Sequence, residues 1–157
     1  MSYLRFAAMI AISTAVMYGL LYLNTYQLDH VFYSQTRLWM ALLMGAVMAV
    51  IMLGFMWSMY KNRAANLAIV VAAVAVFCGS LFMVRSQATV GDIDYMRAMI
   101  PHHSIAVLTS SNANIRDGRV RQLADDIIAA QVREIDEMKA LIRELETNPP
   151  ATAPARP

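Results

Sequence analysis

The sequence contains a single cysteine, Cys78, so it can build neither an internal disulfide framework nor a CxxC metal or redox site. It is also short of charge. Asp, Glu, Lys and Arg make up 15% of its 157 residues, against about 25% in an ordinary soluble domain. No basic stripe remains once the cations flanking the apolar runs are set aside, which excludes a nucleic-acid binder. A Gly-x-Ser-x-Gly elbow, a phosphate-binding loop and a His-Glu-x-x-His zincin motif are all missing. With none of these, no small-molecule substrate is identified and the chain reads as a non-enzyme.

In their place stand hydrocarbon and methionine: 59% of the residues are hydrophobic and thirteen are Met. The charges that exist are unevenly divided. Residues 1–90 hold five Lys/Arg and one acid, whereas residues 91–157 hold eight Lys/Arg and ten acids. That split marks two physically different halves.

Three charge-free runs, Phe6–Leu28, Leu38–Tyr60 and Ala64–Val84, measure 23, 23 and 21 residues. A helix crosses a bilayer with about 20 apolar residues, so residues 1–84 are expected to form a three-span anchor in contact with membrane lipid. Trp39 and Trp57 bracket the second run, where interfacial aromatics belong. The first run reads as a retained signal anchor, because Asn24-Thr25-Tyr26-Gln27 offers no small-x-small cleavage site. Arg5, Lys61 and Arg63 fall on one side if the N-terminus is cytoplasmic, which puts residues 85–157 outside.

Within the second run Met40, Met44, Met48, Met52 and Met56 recur every four residues. A four-residue period drifts about 40° per step on a helix, so these sulfurs spiral rather than line a copper path, and apolar packing is their expected role. Ala41, Gly45 and Ala49, at small-xxx-small spacing, mark a helix-packing seam. Cys78 reads as a small buried apolar residue.

The second half divides into a linker, 85–90, a helical domain, 91–146, and a disordered Pro-rich tail, 147–157. The first helix of the domain starts near Asp92 or Asp94, contains Pro101, which should kink it, and ends near Ser111. Met96, Met99 and His103 share one face at i, i+3 and i+7, while His102 points a quarter-turn away. The second helix starts behind Asp117 as N-cap. It carries a heptad-like seam of Ala124, Ile128, Gln131, Ile135, Met138, Ile142 and Leu145, with Glu134 set inside the apolar arc. A carboxylate there must be paired, hydrogen-bonded or metal-bound. Two helices cannot enclose a core alone. Either a second copy, joined through 119–146 as a homo-oligomer, or the first loop together with the membrane surface must cover the seam. The fold class is therefore all-α: three transmembrane helices and a kinked two-helix hairpin that completes a bundle by oligomerisation.

The run Asp94-Tyr-Met96-Arg-Ala-Met99-Ile-Pro101-His102-His103, followed by Gln131-Val-Arg-Glu134-Ile135-Asp-Glu-Met138, resembles the ferritin-like domain-of-unknown-function family 305 (DUF305). The three preceding spans resemble its membrane-anchored subgroup. That resemblance implies copper or silver tolerance or handling, with Met96, Met99, His102, His103 and Met138 as metal ligands and Glu134 and Gln131 supporting them. Thioether and imidazole suit Cu(I) or Ag(I). Zinc through His102, His103 and Glu134 would leave the methionines as spectators. A di-iron oxidase of ferritin-like type needs a Glu-x-x-His pair, which this chain lacks. The competing reading is structural or signalling: the methionines are core, and the histidines satisfy Glu134 and Gln131 across a helix seam or act as a pH switch.

Overall fold

The computed structural model describes residues 2–148. Among them are five α-helices and one short 3-10 turn, with no strand: α1 (Tyr3–Leu20), the turn Leu28–His30, α2 (Gln35–Phe55), α3 (Arg63–Ser86), α4 (Asp92–Asn112) and α5 (Gly118–Thr147). The tail expected over 147–157 lies outside the described residues beyond Asn148.

Each helix start follows local chemistry. The side chains of Ser2, Ser34, Asn62 and Asp117 accept from the backbone N–H groups of Leu4, Arg37, Ala65 and Arg119, capping α1, α2, α3 and α5. Asp117 is thus the cap that the sequence indicates. Helix α4 begins behind Gly91 without a side-chain cap, and Asp92 and Asp94 place negative charge on its first turn. Helix α3 ends where Gln87 takes up a left-handed conformation, φ 51°.

The chain folds as two units. One comprises residues 1–23 and 34–90, the other residues 24–33 and 91–157. In the first, α1, α2 and α3 are each long and apolar enough to cross a membrane. Their outward faces carry exposed Ile12, Val16, Val50, Phe55, Leu67 and Val71, a surface suited to lipid rather than water. Ala41, Gly45 and Ala49 are buried, forming the expected seam, and a Cβ on Gly45 would collide with the Thr14 hydroxyl. Met52 and Met56 pack against the core formed with Phe6, Leu53 and Tyr60, whereas Met40 faces outward.

Two expectations are corrected in this unit. Helix α1 stops at Leu20 rather than running to Leu28, because the chain tightens into i→i−3 bonds at Tyr22 and Leu23 before leaving. Cys78 is exposed, on the outer face of α3, rather than buried.

The second unit is an antiparallel α4–α5 hairpin. Met96, Ile100, Ile135 and Ile142 form its core, with Ile93, Met138 and Leu145 packed around them. Helix α4 runs unbroken through Pro101, which is itself buried. Phe32, from the segment between α1 and α2, packs on the same core. Segment 24–33 therefore belongs with the hairpin rather than with the three-helix unit, and it supplies the first-loop cover anticipated for the seam.

Candidate metal site on the α4–α5 hairpin

A cavity of about 420 Å³ opens between α4 and α5. Helix α4 lines it with Asp92, Tyr95, Met96, Met99 and His103, and α5 with Glu134, Glu137, Met138, Leu141 and Leu145. Four of the five expected ligands, Met96, Met99, His103 and Met138, are brought together here with Glu134. His102 is not among the lining residues. It is exposed, its ring centre 6.1 Å from that of His103.

The spacing explains the convergence. Asp92, Met96, Met99 and His103 fall at i, i+4, i+7 and i+11 on α4, and Glu134, Met138, Leu141 and Leu145 repeat that spacing on α5. Two such faces in an antiparallel hairpin oppose each other along about three turns. Sequence reasoning missed Asp92, Tyr95, Glu137 and Leu141 as wall residues, although the shared spacing already carried Asp92 and Leu141.

His103 is fixed from both sides. Its Nδ1–H donates to the backbone carbonyl of Met99 at 3.0 Å, an assignment that follows because a carbonyl can only accept. Its Nε2 faces Oε2 of Glu134 at 2.8 Å. Gln131 Nε2 donates to that same carboxylate oxygen at 3.5 Å, so Gln131 reaches the site through Glu134. A histidine whose Nδ1–H is taken by a carbonyl presents Nε2 as its coordinating atom, a usual partnership around bound metals. Among the described residues no three His, Cys, Asp or Glu side chains gather into a metal-holding group. The cavity instead offers three thioethers and one imidazole, with the carboxylates of Asp92, Glu134 and Glu137 also in its walls.

A polar network that the sequence reading did not foresee pins segment 24–33 onto the hairpin. His30 is buried at 7% exposure and Ser104 is fully buried. The Ser104 hydroxyl accepts from the backbone N–H of Tyr26 at 2.7 Å and pairs with Nδ1 of His30 at 2.9 Å. Burial holds His30 below its ordinary pKa, with Lys139 adding to the effect and Asp29 and Asp136 opposing it. Lys139 donates to Asp29 Oδ2 at 2.6 Å, and that hydrogen bond holds the Asp29 carboxyl below its usual range. The partners lie 74 and 110 residues apart in sequence, which is why no local pattern announces them.

Residues 92–156 match the model of a family described as Domain of unknown function (DUF305). The match covers α4 and α5, the part of the chain that carries the Met-x-Pro-His-His run. A similar curated protein is "Uncharacterized protein L153" of Acanthamoeba polyphaga mimivirus, 41% identical over 66 residues, which are 41% of this chain and 43% of that protein. The chain thus aligns with less than half the length of this relative. No solved structure matches.

Proposed function

We propose that this is a membrane-anchored metal-binding protein that takes Cu(I) or Ag(I) at the α4–α5 cavity, in the service of metal tolerance or handling. The observation that supports it is the convergence of Met96, Met99, Met138 and His103 on one cavity beside Glu134. Sulfur and imidazole donors select soft monovalent cations, while hard cations want clustered oxygens. Met96, Met99, Met138 and His103 are the ligands in this reading; the Met99 carbonyl orients the imidazole through Nδ1–H, and the Glu134 carboxylate, backed by Gln131, stands beside the cation. Zinc through His102, His103 and Glu134 is the weaker assignment, since His102 does not line the cavity. The role is binding, not catalysis.

The same proposal sets the hairpin on the extracytoplasmic side of a bacterial inner membrane, with Arg5, Lys61 and Arg63 cytoplasmic. It also includes the ferritin-like affiliation and a homo-oligomer through α5. Exposed Leu123, Ile127 and Leu141 leave an apolar edge on that helix for a second copy to cover.

One observation favours the structural reading: both ring nitrogens of His103 already have partners, as a core histidine requires. X-ray absorption on the Cu(I)-loaded full chain separates the two. Sulfur scatterers accompanied by nitrogen support the metal site, and a shell of nitrogen and oxygen alone contradicts it.

A further inference from the structure

In the three-helix unit α2 packs against both α1 and α3, but among the described residues the backbones of α1 and α3 nowhere approach each other. Tyr3 bridges these two helices at one end, its hydroxyl donating to Oδ1 of Asn66 at 2.8 Å. Between them lies a slot of about 780 Å³, floored by α2, with Phe6, Thr14, Gly45, Ala46 and Ala72 in its walls. From Tyr3 to Tyr18, both of which line it, α1 rises about 22 Å, so the mean cross-section is roughly 35 Å². The slot is long and wide enough for an extended hydrocarbon chain.

Charge identifies the chain's owner. The unit carries Arg5, Arg37, Lys61, Arg63 and Arg85 and no Asp or Glu at all. Arg5 lies in the first turn of α1. Lys61 and Arg63 flank Asn62, whose backbone carbonyl accepts from the Tyr3 hydroxyl at 3.2 Å. These three cations are exposed, and Arg63 lies over the Trp57 ring at 4.9 Å. The Tyr3 end of the apolar slot therefore opens beside a cluster of cations that has no carboxylate of its own unit to pair with. A second copy of this unit would bring the same sign of charge to that end, whereas an anionic headgroup brings the opposite one.

We propose that the slot between α1 and α3 binds one acyl chain of an anionic phospholipid, with its phosphate held at Arg5, Lys61 and Arg63. This site is independent of the metal reading. Native mass spectrometry of the full chain in mild detergent, supplied with phosphatidylglycerol or phosphatidylcholine, tests it. One phosphatidylglycerol is expected to be retained with at least a fivefold preference. Ala11→Phe on one wall and Ala72→Phe on the other should each cut retention at least fivefold. Replacing Arg5, Lys61 and Arg63 together by Gln should erase the headgroup preference. Unchanged retention in the slot-filling variants overturns the proposal, as does a preference that survives loss of the three cations. A dimer that dissociates when the slot is filled overturns it too, by making a second copy the occupant. If the variants do not fold, phosphatidylglycerol with a photoreactive acyl chain decides on the unaltered chain: adducts on slot residues support the proposal, and adducts spread over the outward faces contradict it.

Discussion

His103 on α4 and Glu134 on α5 meet at 2.8 Å across the hairpin, and the same imidazole gives its Nδ1–H to the carbonyl of Met99. The pair ties the two helices together at the head of the cavity that Met96, Met99 and Met138 also line. The Glu134 side chain is 42% exposed, so solvent screens part of the interaction. Glu134→Ala should therefore cost about 0.5–1 kcal/mol of hairpin stability. Chemical denaturation of the full chain in detergent checks this, and a loss several times larger would mean that Glu134 holds more than one imidazole.

The hydrophobic core of the hairpin is a separate matter. Ile135 is 1% exposed and packs with Met96, Ile100 and Ile142. Ile135→Ala should destabilise the hairpin by about 2–5 kcal/mol through lost transfer energy and the cavity left behind. The readout is the same denaturation midpoint. A shift no larger than that of Glu134→Ala would contradict this packing.

The clamp around His30 makes stability depend on pH, and the sign follows from its neutral burial. Above the ordinary value of 6.5 His30 is uncharged in both folded and unfolded chains. Below it the unfolded chain takes up a proton that the folded chain refuses, so stability falls as pH drops through the window beneath 6.5. Asp29, held low by Lys139, adds a second loss as pH falls below its ordinary 3.8. Thermal midpoints of the full chain across this range should show the upper step, and His30→Gln should remove its share of it. An upper step of equal size in that variant would place the titration elsewhere.

How much of this was legible in the sequence depends on how far apart the interacting residues lie. The Asp117 cap, the α5 seam through Ile135 and Ile142, and the Ala41, Gly45 and Ala49 contact are all set by helical period, and each is found where the spacing puts it. The grouping of Met96, Met99, His103 and Met138 needed the hairpin register as well, because α4 and α5 carry matching faces that mean nothing singly. His30 with Ser104, and Asp29 with Lys139, join the segment between α1 and α2 to a hairpin many residues later. No periodicity encodes such a contact. The exposure of Cys78 escapes the sequence for a related reason: in a helix that is apolar on every side, apolar character does not distinguish the inner face from the outer one.

The α1–α2 seam yields a prediction of its own. Gly45 sits where a side chain would strike the Thr14 hydroxyl of α1. Gly45→Val should push α1 off α2 and lower the thermal midpoint of the three-helix unit, since overpacking costs about 1–3 kcal/mol. Thr14→Ala, by clearing the contact, should restore part of the loss. No rescue in the double variant would mean that Gly45 is required for some reason other than the approach of α1.

The central claim is that the thioethers of the α4–α5 cavity hold a soft cation. Competition between the full chain and a chromogenic Cu(I) chelator tests it most directly, and the full chain is required because segment 24–33 contributes Phe32 to the hairpin core. Replacing Met96, Met99 and Met138 together by Leu preserves volume and removes sulfur alone. The account predicts that this variant, and His103→Ala, lose at least tenfold in Cu(I) affinity while His102→Ala stays near wild type. Wild-type affinity in the triple leucine variant would contradict it.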